Sequence, residues 1–204
     1  MSVRGKFVSL EGVDGAGKST HVEFVADSLG ARGHHVVVTR EPGGTDLAEQ
    51  LRTLILRHPM QPLPETLLLL AARADHVARV ILPALEAGHW VACDRFSDAT
   101  AAYQGAGKGV SLELIERLSA AVHPGLRPDR TLVFDCTYDV ARQRLAASGK
   151  PLDRFEREDR AFFERVRGAY LARAKAEPAR VRVIDASREV AAVREAIETH
   201  LADL

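Results

Sequence analysis

The residues from Gly12 to Ser19 combine three glycines with a lysine and a hydroxyl side chain, in the order Gly-Val-Asp-Gly-Ala-Gly-Lys-Ser. Glycine lets the backbone turn tightly and point successive N–H groups at an approaching phosphate, where a Cβ would obstruct it. A lysine at the end of such a loop reaches β- and γ-phosphates, and the next hydroxyl is a ligand for Mg²⁺. The stretch matches G-x-x-x-x-G-K-[ST], the P-loop pattern, at every fixed position. It therefore predicts a binding site for a nucleoside triphosphate.

The segments on both sides of the loop support this interpretation over the alternative, a glycine-rich turn that merely begins a helix. Residues 7–10 form a short apolar run typical of a buried strand, and residues 20–29 have apolar side chains at helical spacing. A helix that begins at the loop adds partial positive charge near the phosphates. We expect the nucleotide to contact the whole loop and its first following residue: Gly12, Val13, Asp14, Gly15, Ala16, Gly17, Lys18, Ser19 and Thr20.

The composition is that of an ordinary globular domain. The chain has 204 residues, of which 46% are hydrophobic and 27% charged, with a formal net charge of zero. Zero net charge gives no general attraction to nucleic acid or to an anionic membrane surface. Cys93 and Cys136 lack metal-ligand spacing, and neither a signal-peptide pattern nor a membrane-length apolar run is present. We therefore expect one cytoplasmic domain over residues 1–204, with no nucleic-acid or membrane partner.

Predicted strands alternate with predicted helices along the whole chain. Apolar runs bounded by turn residues predict strands at 7–10, 35–39, 89–93, 131–135 and 181–184. Helical spacing of apolar residues predicts helices at about 20–29, 46–56, 65–87, 97–103, 111–123, 137–147, 161–176 and 187–201, with a bend at Pro83 and a flexible loop at 105–109. This alternation predicts a five-stranded parallel sheet with helices on both faces.

Charged or phosphate-binding segments directly follow four of the five predicted strands. The P-loop follows the first, Arg40 and Glu41 the second, Asp94 and Arg95 the third, and Asp135 the fourth. The carboxyl ends of parallel strands meet at one edge of a sheet, where ligands of such folds bind. We therefore expect these groups to form one phosphate-binding site, in which arginine forks contact two phosphate oxygens at once.

Five segments in this order resemble bacterial thymidylate kinase, a family of P-loop nucleoside-monophosphate kinases. They are the P-loop, Thr39-Arg-Glu-Pro-Gly-Gly-Thr45, Ala71-Ala-Arg73, Asp94-Arg-Phe96 and Ala102-Tyr-Gln104. The resemblance extends over essentially the whole chain. It implies the fold of those kinases, transfer of the γ-phosphoryl group of ATP to dTMP for dTTP synthesis, a requirement for Mg²⁺, and a homodimer.

The resemblance implies catalytic and phosphate-binding roles for residues at the strand ends. Lys18 contacts the phosphates of ATP, and Asp14 lies near the sugar 3′-hydroxyl and the metal. Arg40 and Arg95 resemble the two arginines that clamp the dTMP phosphate. Ser19 and Asp94 are implied as the metal-binding residues.

A second set of residues resembles the nucleoside pocket of the family. Arg73 is similar to the residue that contacts a thymine carbonyl, Thr100 to the partner of thymine N3, and Gln104 to the adjoining wall. Tyr103 resembles a residue that crowds a ribose 2′-hydroxyl, and Pro42 belongs to the same implied pocket.

One position departs from the family pattern. The family often stacks a phenylalanine on thymine three or four residues before the arginine that corresponds to Arg73, where this chain has Leu70 and Leu69. Leucine covers a base with less stacking than an aromatic ring. We expect thymidylate activity with a looser base pocket, and the sequence leaves open which leucine faces the base.

The polar segment 148–160 resembles the family's lid. The P-loop has no arginine between Gly15 and Gly17, so the resemblance implies that the lid supplies the extra catalytic arginine. Arg154 is the best match, with Arg157 and Lys150 as alternates, and it would neutralise charge on the transferring group. Adenine is expected to rest against Arg142 or Arg144, without a basis for choosing between them.

Two rival functions remain at this point. Another nucleoside-monophosphate or deoxynucleoside kinase has the same fold, although a nucleoside kinase needs a base to activate a hydroxyl and has no use for a phosphate clamp at Arg40. A P-loop switch ATPase binds nucleotide in order to engage a partner and has no phosphoryl acceptor. The lid arginines and the double clamp argue against the second rival.

Overall fold

A five-stranded parallel sheet lies at the centre of the computed structural model, which describes residues 4–204. Its strand order is β2-β3-β1-β4-β5, so the strand that leads into the P-loop is the central one. All six residues of that strand are buried, as expected for a parallel sheet covered on both faces. The predicted fold class is therefore confirmed. The strands are β1 (Phe7–Gly12), β2 (Val36–Arg40), β3 (Trp90–Asp94), β4 (Arg130–Asp135) and β5 (Val181–Asp185).

Helices connect the strands and cover both faces of the sheet. Two of them continue as π-helical segments, α3 through Val77–Ile81 into α4 and α5 through Ala101–Gly107. The helices are α1 (Lys18–Gly30), α2 (Asp46–Arg57), α3 (Pro62–His76), α4 (Leu82–Glu86), α5 (Ser97–Thr100), α6 (Leu112–Val122), α7 (Tyr138–Ala147), α8 (Arg160–Ala176) and α9 (Val190–Leu201).

The long helix predicted at 65–87 has a different start and a different irregularity. It begins at Pro62, because Pro62 and Pro64 lie in the first turn, where a missing N–H breaks no helical hydrogen bond. The irregularity is the π-helical segment Val77–Ile81, which ends two residues before Pro83. A wider turn is one way in which a helix accommodates a residue that lacks a backbone N–H.

The flexible loop predicted at 105–109 is wrong. Gly105 and Gly107 lie within the π-helical continuation of α5 and are both buried. A Cβ added to Gly105 would come within 2.6 Å of Leu112 Cδ2, and one added to Gly107 would come within 2.6 Å of Phe162 Cε2. These glycines therefore permit close packing against α6 and α8 and are not signs of a mobile loop.

Side chains along β1 point alternately to the two faces of the sheet, and an apolar cluster lies on each face. Val8 and Leu10 belong to a cluster shared with α1, α8 and α9, whereas Phe7 belongs to one shared with β3 and the π-helical segment after α3. Both clusters hold the strands in register and so fix the positions of the groups at their carboxyl ends. Among residues 4–204, no helix combines the length and hydropathy needed to cross a bilayer.

Candidate active site

A cleft opens at the carboxyl edge of the sheet, between β1, β2, β3 and the helices that follow them. Most of the residues predicted to bind the acceptor nucleotide line it. Those residues are Asp14, Pro42, Leu69, Arg73, Arg95, Thr100, Tyr103 and Gln104. The order of strands and helices has thus brought together side chains that lie up to 90 positions apart in the chain.

The P-loop wraps around the ammonium group of Lys18. Lys18 Nζ donates to the carbonyl oxygens of Gly12 and Val13 at 3.0 and 2.9 Å. Burial and the neighbouring charge of Arg95 lower the pKa of Lys18 to about 8. Because α1 begins at Lys18, Ser19 and Thr20 lie in its first turn, where backbone N–H groups lack helical partners. Loop, ammonium group and helix end together form a cradle for anionic oxygens.

Ser19 and Asp94 form a pair of oxygen ligands beside this cradle. Ser19 Oγ donates to Asp94 Oδ2 at 3.2 Å. Asp94 Oδ1 is buried and has no hydrogen-bond partner within residues 4–204. A hydroxyl and a carboxylate oxygen are the hard ligands that Mg²⁺ takes, with phosphate oxygens and water completing its shell. The two side chains therefore fit the ion that the P-loop motif implies.

Arg95, Asp14 and Tyr103 form a hydrogen-bonded triangle between the P-loop and the cleft. Arg95 Nη2 donates to Asp14 Oδ1 at 2.7 Å, and Tyr103 Oη donates to Asp14 Oδ2 at 2.8 Å. Arg95 Nη1 donates to the Gly12 carbonyl oxygen at 3.0 Å. Burial acts to raise the pKa of Asp14, but the charges of Arg95 and Lys18 hold it below its ordinary value of 3.8. Asp14 is therefore an ionised partner for a largely buried arginine.

Arg73 lies at the opposite end of the cleft, and one nitrogen of its guanidinium has no hydrogen-bond partner within residues 4–204. Its Nε donates to Glu41 Oε2 at 2.6 Å, and its Nη2 donates to Phe96 O and Thr100 Oγ1 at 3.1 and 2.9 Å. Its Nη1 is buried and has no partner in the part of the chain that the structure describes. A buried N–H donor without a partner is costly, so this edge of the guanidinium favours a ligand that brings an acceptor oxygen.

The two leucines that the sequence could not separate have different surroundings. Leu69 lines the cleft, whereas Leu70 is buried in the protein interior and does not line it. The lid residue Phe155 brings an aromatic ring to the same cleft, with its centroid 5.9 Å from that of Tyr103. The cleft thus has an aromatic wall, although it does not come from the position where the family pattern has one.

Arg40 lies outside the cleft. Its guanidinium is exposed and paired with Glu49, with Nε donating to Oε1 at 3.2 Å and Nη2 to Oε2 at 2.9 Å. A residue that sequence reasoning missed, Arg52, lines the cleft and donates to the Pro42 carbonyl oxygen at 2.9 Å. The sequence does contain a clue to its position. Arg52 follows Ala48 by four residues on α2, so it lies on the same face of the helix as that buried residue.

Arg154 is also placed away from the P-loop. Its Nε donates to the Ile55 carbonyl oxygen, and its guanidinium pairs with Glu65, which is fully buried. Glu65 also accepts from Gln104 Nε2 at 2.7 Å and from Lys108 Nζ at 2.8 Å. The structure therefore connects the lid to the wall of the cleft through one carboxylate and does not bring Arg154 to Lys18.

The two candidates for the adenine contact differ in their positions. Arg144 donates to Ala16 O of the P-loop at 3.3 Å and to Ala186 O at 2.8 Å. Arg142 donates to Glu156 O of the lid at 2.8 Å. Arg144 thus lies between the P-loop and the segment after β5 and does not line the cleft. The alternates Arg157 and Lys150 are exposed.

Comparison with known proteins gives one consistent result. The family model described as Thymidylate kinase matches residues 10–197. A thymidylate kinase of Bordetella petrii is 54% identical over 201 residues, which cover 98% of this chain and 97% of that protein. One of Cupriavidus necator is 53% identical over 204 residues, covering 99% and 100%. The crystal structure of thymidylate kinase from Ehrlichia chaffeensis has a TM-score of 0.79 and 33% identity, covering 98% of this chain and 99% of that one.

The buried Arg73–Glu41 pair and the exposed Arg40–Glu49 pair allow a matched stability test. We expect Glu41→Gln to lower the free energy of unfolding by about 3–5 kcal/mol, because it leaves the buried Arg73 charge uncompensated. Glu49→Gln removes a pair whose side chains are 54% and 41% exposed, so we expect a loss below about 1 kcal/mol. Urea denaturation at pH 7 measures both values. Equal losses would contradict the assignment of Arg73 as a buried, charge-dependent contact.

The same pair predicts a direction of pH dependence. Burial acts to raise the pKa of Glu41, but Arg73 and His76 hold it below its ordinary value of 4.5. A depressed folded-state pKa contributes stability that is complete above the unfolded-state value and is lost as pH falls through the folded-state value. The difference between the native protein and Glu41→Gln should therefore shrink only below pH 4.5.

Proposed function

The chain belongs to the thymidylate kinase family, and we propose that its cleft binds dTMP while its P-loop binds the phosphates of ATP. A member of this family is an ATP-dependent phosphotransferase that converts dTMP to dTDP. The observation that carries the site assignment is the free edge of Arg73 at one end of a cleft whose other end is Arg95 and the P-loop. This arrangement suits a molecule with a carbonyl-bearing base at one end and a phosphate at the other.

The proposed phosphate contacts come from Arg95 and Arg52, which both line the cleft. Arg40 would join them only after releasing Glu49. Two anionic substrates must be brought together, so positioning and charge neutralisation make up most of the catalysis. The acceptor is an ionised phosphate, and the reaction therefore needs no general base. Asp14 and Tyr103 hold Arg95 in place and adjoin the position of the sugar.

The proposed base contacts follow from which hydrogen-bonding groups are already used. Arg73 Nη1 is a free donor for a thymine carbonyl oxygen. Thr100 Oγ1 already accepts from Arg73 and keeps a second lone pair for thymine N3–H. The amide nitrogen of Gln104 is bound to Glu65, which leaves its carbonyl oxygen for the pocket. A base with an amino group in place of the carbonyl would set a donor against the Arg73 donor and leave both unpaired.

On the ATP side, the proposed contacts are Lys18, the P-loop N–H groups and the Ser19–Asp94 pair. Phosphate oxygens would replace the two carbonyl oxygens that Lys18 Nζ now contacts. Ser19 and Asp94 would hold Mg²⁺, which when bound neutralises phosphate charge and orients the triphosphate. Arg144 adjoins the P-loop and is the proposed adenine contact.

A homodimer in the cytoplasm is proposed on two grounds, the family and the surface. Large apolar side chains are exposed on α2, α3 and α6. Apolar surface grouped in this way favours a contact between two copies related by a two-fold axis. The exposed side chains are Leu47, Leu54, Leu63, Leu67 and Leu112.

The proposed substrate is tested by phosphoryl transfer from ATP and Mg²⁺ to dTMP, dUMP, dCMP, UMP, AMP and thymidine in parallel. We expect rapid formation of dTDP, slower turnover of dUMP, and no product from dCMP or thymidine. Thymidine lacks the phosphate that Arg95 and Arg52 would bind, and dCMP has an amino group at C4, where dTMP has a carbonyl oxygen for Arg73. Removal of Mg²⁺ by a chelator should abolish turnover. Preference for dCMP or AMP would overturn the base-pocket assignment, and ATP hydrolysis without an acceptor would favour a switch ATPase.

The two leucines provide a matched pair of variants for the base pocket. Leu69→Phe places an aromatic ring at the cleft, so we expect a KM for dTMP lower by about 2- to 10-fold, since aromatic pairs contribute about 0.5–1.5 kcal/mol. Leu70→Phe overpacks the interior and should lower the free energy of unfolding by about 1–3 kcal/mol without that gain. Steady-state kinetics and urea denaturation separate the two effects. A lower KM in Leu70→Phe alone would show that the base lies elsewhere.

We propose Arg154 as the lid residue that neutralises the transferring group, after it exchanges Glu65 for phosphate oxygens. Arginine fingers contribute about 10³-fold or more to kcat, so Arg154→Gln should lower kcat by about that factor. Its KM for ATP should change little, because the contact forms in the transition state. Arg157→Gln, which alters the other lid arginine of this turn, serves for comparison. If Arg157→Gln shows the loss and Arg154→Gln does not, the role belongs to Arg157.

A further inference from the structure

Arg95 holds a backbone conformation that only its surroundings can maintain. Its φ angle is +73°, and no other non-glycine residue within 4–204 has a positive φ. For a residue with a Cβ this region is sterically strained. The conformation follows directly after β3 and turns the guanidinium back toward the P-loop, where it contacts Gly12 and Asp14. The structure must therefore contain groups that fix this turn.

Glu11 is the side chain that fixes it. Glu11 is fully buried at the end of β1, directly before the P-loop. Its Oε1 accepts a hydrogen bond from the backbone N–H of Phe96 at 2.7 Å. The preceding N–H, that of Arg95, donates to the Leu10 carbonyl oxygen at 2.9 Å. Two consecutive N–H groups of the turn are thus tied to β1, one by backbone and one by the Glu11 carboxyl.

Tyr170, on α8, contacts both Glu11 and Arg95 through its hydroxyl group. Its hydroxyl donates to Glu11 Oε2 at 2.8 Å and lies 3.4 Å from Arg95 Nη1, which donates to it. Tyr170 is 2% exposed, so both contacts are shielded from water. One hydroxyl therefore contacts the carboxyl that fixes the turn and the guanidinium that the turn presents.

The environment of Glu11 determines its charge state, and that state affects which carboxyl group pairs with Arg95. Burial and the neighbouring carboxylate of Asp98 raise its pKa to about 8, against the opposing effects of Arg95 and Tyr170. Arg180 in turn compensates Asp98, with two hydrogen bonds of 2.8 and 3.2 Å. Near neutral pH the Glu11 carboxyl is thus mostly protonated. Because Oε1 accepts from Phe96, the proton then lies on Oε2, and the 2.8 Å hydrogen bond with Tyr170 is kept with its direction reversed. Asp14 is then the ionised partner of Arg95, and the positive charge is not shared with a second carboxylate.

We propose that Glu11 and Tyr170 are positioning residues for Arg95, which hold the turn after β3 so that the guanidinium meets the phosphate of the acceptor nucleotide. The proposal rests on the proposed role of Arg95 as a phosphate clamp. Neither residue lines the cleft, so neither is expected to touch substrate. Their effect on catalysis passes through the Arg95 backbone and guanidinium.

The first test compares two Tyr→Phe variants that remove only a hydroxyl. Tyr170→Phe breaks the contacts to Glu11 and Arg95, so we expect the KM for dTMP to rise about tenfold, as for the loss of a buried hydrogen bond to a charged group. The KM for ATP should stay within about twofold. Tyr138→Phe is the control, because the Tyr138 hydroxyl makes no hydrogen bond within the described residues, and it should leave both constants unchanged. Equal rises in both KM values for Tyr170→Phe would overturn the proposal.

The second test uses the two replacements of Glu11. Glutamine keeps an acceptor oxygen for the Phe96 N–H and matches the neutral acid in shape, so Glu11→Gln should keep the KM for dTMP within about threefold. Glu11→Ala loses both contacts and should raise it about tenfold or more. A Glu11→Gln variant as impaired as Glu11→Ala would overturn the idea of a neutral hydrogen-bonding role. If Glu11→Ala does not fold, the result for Tyr170→Phe still decides.

A double-mutant cycle separates positioning from a general loss of structure. In an Arg95→Lys background the guanidinium is already absent, so adding Tyr170→Phe should raise the KM for dTMP by less than about twofold. A full tenfold rise in that background would show that Tyr170 acts independently of Arg95 and would overturn the proposal. If Arg95→Lys alone leaves the KM for dTMP unchanged, the clamp role of Arg95 fails. If Arg95→Lys is impaired while Tyr170→Phe and Glu11→Ala are not, only the positioning role fails.

Discussion

The compensation of buried arginine charge is the constraint on which the rest of the site depends. A guanidinium withdrawn from water is costly unless a carboxylate and further hydrogen-bond acceptors surround it. Arg95 is paired with Asp14, and Arg73 is paired with Glu41 at the other end of the same cleft. Each arginine uses part of its fork for its own carboxylate. Both arginines line the cleft, where the proposed substrate would supply further acceptors. The protein thus holds positive charge in place before any anion arrives.

The sheet makes these pairings possible because its parallel strands end at one edge. Asp14 follows β1, Glu41 follows β2, and Arg95 follows β3, so the order β2-β3-β1 places the three groups side by side. Arg73 comes from α3, which packs against α2, and reaches Glu41 from across the cleft. Tight packing in the two apolar clusters holds the strands and helices that carry these side chains. A shift of the strand ends would separate partners that now lie within 2.7 Å.

Local patterns in the sequence were sufficient to predict the P-loop, the five strands and the groups that follow them. They were insufficient wherever the deciding contact comes from a distant segment. Glu11 directly follows the predicted strand 7–10 and was assigned no role from the sequence, because its partner Tyr170 lies 159 positions away. Gly105 and Gly107 looked like loop residues, because the side chains of α6 and α8 that pack against them cannot be inferred from their own neighbourhood. Leu69 and Leu70 have the same chemistry, and only the rotation of α3 decides which one faces the cleft.

Segment 148–160 and the wall of the cleft share the carboxylate of Glu65, which connects the two through hydrogen bonds and ion pairs. Glu65 is fully buried and contacts Gln104 on one side and the cations Lys108 and Arg154 on the other. A buried carboxylate with two cations can release one and remain compensated, whereas a carboxylate with a single cation cannot. Arg154 is therefore able to leave Glu65 at a cost that Lys108 limits. During the proposed exchange of Arg154 between Glu65 and phosphate, the same second cation would keep Glu65, and through it Gln104, in place.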